Sequence, residues 1–148
     1  MAIAQESLKE AYCIRVEPFM IKDLWEKCLP FLENPEIGQI EYTSTAELKR
    51  NCLDETYQLW ILMEGDKLTG CFLTNIGVVS DDVNIVNIFN LSGSGVKFWI
   101  KELDDKIVEF CQQNNCKFYS YIGREGFAKF VPQLKQTGVH YLREVPNV

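Results

Sequence analysis

Apolar and polar positions along the chain follow two rhythms, one of period two and one of three to four, and the switches between them mark out the elements. Ala11-Tyr12-Cys13-Ile14-Arg15-Val16 is short, alternating and partly β-branched, which predicts a first strand. After Pro18, apolar residues at Ile21, Leu24, Trp25, Cys28, Phe31 and Leu32 form a helical stripe, with Pro30 as a late kink. Asn34-Pro35-Glu36-Ile37-Gly38 reads as a loop. Ser44-Thr45-Ala46-Glu47 has capping-box spacing and predicts a short second helix through Leu48 and Cys52.

Tyr57 to Met63 is rich in strand formers, Glu64-Gly65-Asp66-Lys67 supplies a turn, and Leu68 to Val79 returns. Ser80-Asp81-Asp82 is a second turn, and Val83 to Leu91 is the third strand of the same antiparallel meander. From Gly95 the rhythm lengthens. Val96, Trp99, Ile100, Leu103, Ile107, Phe110 and Cys111 fall at helical steps, and Asn114-Asn115 ends that helix. Lys117 to Ile122 is the next strand. A further helix follows Gly123, carrying Phe127, Phe130, Val131 and Leu134 with Pro132 inside it; Gly138 closes it, and Val139 to Val145 is a last strand.

The expected order is therefore β-α-α-β-β-β-α-β-α-β. Strand, helix, strand from Val83 to Ile122 predicts a parallel pair joined by a right-handed crossover. The fold class is α+β (mixed α/β), an antiparallel meander leading into a parallel βαβ unit. No linker, repeat or low-complexity stretch interrupts it, so residues 1–148 are expected to form a single domain.

Composition narrows the function classes. Hydrophobic residues make up 47% and charged residues 24%, as in ordinary globular proteins, which excludes wholesale disorder. No apolar run approaches the roughly 20 residues of a membrane helix, and the start has no basic or long apolar secretory region. A cytoplasmic protein is expected. Its six cysteines (Cys13, Cys28, Cys52, Cys71, Cys111, Cys116) lack Cys-x-x-Cys spacing and the one histidine, His140, is remote in sequence. Buried free thiols are expected, and no metal. The net charge of -6 and pI of about 4.8 come without any basic stripe, so nucleic acid is not an expected partner. Trp25, Trp60 and Trp99 read as core.

One stretch carries candidate chemistry. Around Asn90-Leu91-Ser92-Gly93-Ser94-Gly95 a strand ends, two glycines alternate with serine, and the strongest helix begins. A helix start leaves N–H groups unpaired at the positive end of its dipole, and glycines let a ligand come close. With Lys97 beside it, the stretch suits an anion. The alternative is a plain turn with Ser94 as N-cap. The dinucleotide fingerprint fails because residue 98 is Phe, and no Gly-Lys-Ser/Thr of a P-loop is present.

Element order and loop together resemble the GCN5-related N-acetyltransferase (GNAT) family. That family has the same order and a Gln/Arg-x-x-Gly-x-Gly/Ala signature, which Asn90 to Gly95 matches at both glycines and departs from at Asn90. The segment Cys116 to Phe127, with Gly123-Arg124-Glu125-Gly126-Phe127, also looks like small phage-encoded GNAT-like proteins. The resemblance implies an acetyl-CoA-dependent N-acetyltransferase, with acetyl-CoA as co-substrate in a splay between the strands ending near Leu91 and Ile122. The pantetheine arm would pair with the backbone around Phe89 and Leu91. The pyrophosphate would sit on the amides of Ser92, Gly93, Ser94, Gly95 and Val96, near Lys97. A small-molecule or protein amine would be the acceptor. The alternative is a non-catalytic GNAT-like binding or virion-associated structural protein. A homodimer or phage structural partner would then be in play, and the location would be host cytoplasm or virion if the chain is phage-encoded.

The match departs where chemistry is concerned. Many members carry Asn-x-x-Ala-x-x-x-Tyr-x-x-x-Gly-Phe on the last helix, the Tyr protonating the leaving thiolate. Here Phe127, Phe130 and Leu134 stand at the Asn, Ala and Tyr positions, and Val139 at the Phe. Tyr119 and Tyr121 are substitutes only if they reach the cleft. The fourth strand offers Asn84, Asn87 and Asn90 instead of a carboxylate, and an asparagine cannot take a proton at neutral pH. Glu41, Asp54, Glu55 and His140 are the other candidate bases. The catalytic residue stays unassigned.

Overall fold

A computed structural model describes residues 10–33, 44–122, 134–137 and 140–148. Strand β1 (Ala11–Arg15) leads through a 3-10 turn (Pro18–Met20) into α1 (Ile21–Leu32). Helix α2 spans Thr45–Leu53, and the meander follows as β2 (Gln58–Glu64), β3 (Lys67–Ser80) and β4 (Val83–Gly93). Helix α3 (Val96–Gln113) connects to β5 (Cys116–Ile122), and β6 (Leu134–Thr137) and β7 (His140–Glu144) complete the chain. The strands form one sheet in the order β1-β2-β3-β4-β5-β7-β6. All neighbours are antiparallel except β4 and β5, which run parallel.

The predicted elements reappear with local reasons. Ser44 caps α2 by accepting from the Glu47 N–H at 3.2 Å, which satisfies one orphan donor of the first turn. Gly65, at φ 58°, turns β2 into β3. Asn114 closes α3, its side chain donating to the Phe110 carbonyl at 2.8 Å. Pro30 sits in the last turn of α1, two residues before its end.

Two expectations are corrected. Leu134, placed on a last helix by its spacing, lies on β6, which adds a strand to the expected order. Four residues paired with β7 through Leu134↔Arg143 to Thr137↔His140 satisfy their backbone in a ladder. The last strand, His140–Glu144, ends one residue before the expected Val145. The expected loop at 34–38 and the rest of the expected helix after Gly123, with Phe127, Phe130, Val131 and Pro132, lie outside the described residues. So do Gly138, Val139 and Glu41.

The sheet is buried on both faces, which explains why β2 reads as a continuous apolar run. Leu59, Ile61, Cys71, Leu73 and Phe89 pack under α1 and α2, against Ile21, Trp25, Cys28, Leu48 and Cys52. Trp60, Leu62, Phe72, Val86, Ile88 and Leu91 pack under α3, against Trp99, Ile100, Leu103, Ile107 and Phe110. All three tryptophans are core residues, at 2–4% exposure. All six cysteines are free and buried.

Candidate active site

Strand β4 positions the site, and a single extra residue decides its shape. Cys71 faces Ser92 and Leu73 faces Phe89, so two steps on β3 are matched by three on β4. This is a β-bulge at Asn90, which stands at φ 51°. Asparagine tolerates that left-handed conformation better than other non-glycine residues. Its side chain is buried and donates to the Leu32 carbonyl at 3.2 Å, tying the bulge to the end of α1. The bulge also inverts the alternation of the strand. Phe89 packs under α1, while Leu91, two residues later, packs under α3.

At the same level β4 loses one neighbour. Its parallel ladder with β5 runs from Asn84↔Cys116 to Ile88↔Tyr121, whereas β4 continues to Gly93, paired with β3 alone. The parallel ladder thus ends at Ile88, and from Phe89 onward the β5-facing edge of β4 has no strand partner among the described residues. The expected loop at Ser92 and Gly93 is corrected: both are strand residues, in register with Cys71 and Gly70. Gly93 owes its identity in part to packing. A Cβ there would lie 3.2 Å from both the Gly70 Cα and the Thr69 carbonyl oxygen.

The turn into α3 differs likewise from the alternative reading with Ser94 as its cap. Gly95 is the N-cap, at φ 71°, with no side-chain cap bond, a conformation that glycine adopts without steric cost. Ser94 is fastened through its backbone: its N–H donates to the Thr69 carbonyl at 3.1 Å and its carbonyl accepts from Trp99 Nε1 at 2.7 Å. The Ser94 amide is therefore engaged, and the cradle contracts to Gly95, Val96 and the start of α3. Lys97 is exposed beside it.

The candidate proton-transfer residues fare unevenly. Tyr119 is 1% exposed and lies under α3, its hydroxyl donating to Asp104 Oδ1 at 2.7 Å. Arg143 Nε lies 3.2 Å from the same oxygen. Burial first, then the Asp104 carboxylate, pushes the Tyr119 phenol well above its usual range. It is a clamp between α3, β5 and β7, not a cleft acid. Leu134, on β6, has no proton to offer. Asn87 is held between neighbours, donating to Asn75 Oδ1 at 3.1 Å and accepting from the Ser120 hydroxyl at 2.8 Å. Asp54 accepts from the Thr56 N–H at 2.9 Å at the exposed end of α2, and hydrogen bonding to Thr56, from its side chain first and then its N–H, holds the carboxyl below the usual range. Glu55 follows it, also exposed, at φ 66°. His140 is on β7 opposite Ile122.

No family model matches the chain, and no curated protein matches its sequence. Solved structures do match. An N-acetyltransferase from Staphylococcus aureus Mu50 superposes with a TM-score of 0.64 over 93% of this chain and 99% of its own, at 9% identity. The fold is that of the GCN5-related N-acetyltransferases. An N-acyl amino acid synthase from uncultured soil microbes shares this GNAT fold, with a TM-score of 0.64 over 94% and 93% of the two chains at 8% identity. A ribosomal L7/L12 alpha-N-protein acetyltransferase in complex with coenzyme A reaches 0.54 over 92% and 94% at 9%. The same GNAT architecture thus recurs at identities that carry no sequence signal.

Sequence reasoning missed the Asn90 bulge, the Gly70–Gly93 contact and the Asp104 clamp. The first had a signal, since asparagine is favoured in left-handed bulge positions. The other two depend on pairings between distant segments.

Proposed function

We propose that the chain is an acyl-CoA-dependent N-acyltransferase, with acetyl-CoA as donor and an amine of unidentified type as acceptor, carried by one domain over residues 1–148. The observation that carries this reading is the end of the β4–β5 ladder at Ile88↔Tyr121, set beside a left-handed glycine at the start of an 18-residue helix. An extended pantetheine arm fits a strand edge that has no ladder partner among the described residues. Phe89 and Leu91 would offer backbone to it, and the Gly95 and Val96 amides at the start of α3, with Lys97, would face the pyrophosphate. The likeness to acyl- and acetyltransferases, one of them in complex with coenzyme A, supports the same donor class.

Thioester aminolysis needs chiefly an amine held against the carbonyl carbon and a donor for the developing oxyanion. A β4 amide on the open edge suits the second role. The bound CoA ester would supply the activated acyl group. Strand β4 contains no carboxylate, so the amine's proton leaves by water or by a group elsewhere.

Titration calorimetry with acetyl-CoA and CoA tests the donor site. Lys97→Glu is the sharp variant, because an acid in the first turn favours the helix dipole while opposing the pyrophosphate. We expect unchanged thermal stability and an affinity for CoA lowered about tenfold, near 1.4 kcal/mol. No heat at millimolar CoA with the wild-type chain sinks the proposal. Thiol release with a panel of amines and peptides then separates an enzyme from the second reading, a non-catalytic binding or virion-associated module. That reading is favoured by Tyr119 being committed to Asp104 and by Leu134 lying on a strand.

A further inference from the structure

We propose that the hollow between β1 and the later turns of α3 binds an α-amino-acid zwitterion with an apolar or aromatic side chain. It has a volume of about 370 Å³, within the usual range for small-molecule sites. Trp60 and Phe110 form its floor, each 4% exposed. The walls carry both signs: Arg15 and Glu17 from the β1 side, Glu102, Lys106 and Glu109 from α3. Among the described residues the ion pair is Arg143 with Asp104, so neither Arg15 nor Lys106 has a described carboxylate within pairing distance.

That separation is unusual for this spacing. Glu102 and Lys106 stand four residues apart on one helix, in the order that favours an ion pair, yet they do not pair. Arg15 lies instead over the Phe110 ring, 5.2 Å from its centroid, a stack that orients the planar guanidinium fork. Opposite charges held apart over an apolar floor match a ligand whose own charges are held apart. The carboxylate would meet Arg15 and Lys106, the ammonium would meet Glu102 or Glu17, and the side chain would cover Trp60 and Phe110. A ligand of one charge leaves one sign unmatched.

The hollow is not the open edge of β4. Lys106 stands ten residues beyond Val96, about 15 Å along the helix axis, and β1 is three strands from β4 in the sheet. The inference therefore does not rest on acyl transfer.

Calorimetry of the full chain with L-phenylalanine and L-leucine tests it, with 3-phenylpropionate and phenethylamine as one-charge counterparts. Saturable binding at about millimolar or tighter is expected for the amino acids, and at least about tenfold weaker binding for the counterparts. Arg15→Gln should lower the affinity for L-phenylalanine about tenfold and Arg15→Lys by less, with the CoA titration unchanged in both. Lys106→Gln, at an exposed position, should weaken binding severalfold and decides the matter alone should Arg15→Gln not fold. Absence of heat with either amino acid at about 20 mM overturns the proposal. Equal affinity for the one-charge counterparts does so too, as does full affinity in Lys106→Gln together with any folded Arg15 variant.

Discussion

From Asn84 to Ile88, β4 is paired on both edges, with β3 and with β5; from Asn90 to Gly93 its one strand partner among the described residues is β3. The first stretch is kept by ladders and by a mostly buried clamp, Tyr119 and Arg143 on Asp104. The second is kept by separate fastenings: Asn90 to Leu32, Ser94 to Thr69, Trp99 to Ser94, and backbone contact of Gly70 with Gly93. A strand edge that is to receive a ligand must hold its shape before the ligand arrives. Polar ties on its far side and a glycine contact allow this without closing the edge.

The largest expected effect loosens both stretches together. Burial pushes the Cys52 and Cys111 thiols up to about 12. Below pH 9 both folded and unfolded chains keep these protons, and the full stability is present. Above it the unfolded chain releases them while the fold retains them, so stability falls as pH rises toward 12. Each thiol adds at most about 1.4 kcal/mol per pH unit. Urea unfolding should therefore show a loss of several kcal/mol, on the order of 5, between pH 9 and 11. Cys13, raised by burial, Cys71, raised by its hydrogen bond to Cys28 and by burial, and Tyr119 add in the same direction. A flat profile would mean the thiols are reached by water.

Gly70→Ala is expected to be the most damaging single change, because its Cβ would be driven into the Ser92 carbonyl and the Gly93 Cα. Backbone on backbone cannot rotate away, and about 3 kcal/mol is expected from urea unfolding. Since the strain falls on the one-sided stretch, CoA affinity should drop with it. Asp104→Ala, on the zipped side, leaves a buried phenol and a mostly buried guanidinium without their acceptor. A loss of roughly 2–3 kcal/mol is expected, with CoA affinity unchanged where the chain remains folded. Equal loss of CoA affinity in both variants would erase the distinction between the stretches. Asn90→Ala gives up the side-chain tie and places alanine at positive φ, about 2 kcal/mol together. Asn90→Gly gives up only the tie, about 1 kcal/mol, and the difference between the two measures the bulge.

Much of the fold was legible because its signals are local. Ser44 and Glu47 announce a cap, the Ile21-to-Leu32 stripe announces α1, and the change of rhythm at Gly95 announces α3. Leu134 misled for the same reason: helical spacing with Phe127, Phe130 and Val131 says nothing about a ladder with Arg143. The candidate site was half legible. Gly95 has a local reason to be glycine, its left-handed turn. Gly93 has a distant one, Gly70 across the ladder, which no spacing within residues 90 to 97 reveals. Tyr119 was open to a catalytic or a structural role until Asp104, 15 residues back on another element, was found against its hydroxyl.

Asn90 acts as a phase slip in a wave of period two. Were Asn90 an ordinary member of the pleat, Phe89, Leu91 and Gly93 would crest on one side of the sheet. Because it steps out of the count, Leu91 arrives under α3 while Phe89 stays under α1. A chain that kept all its letters but straightened that bulge would present every later residue of the strand to the wrong side.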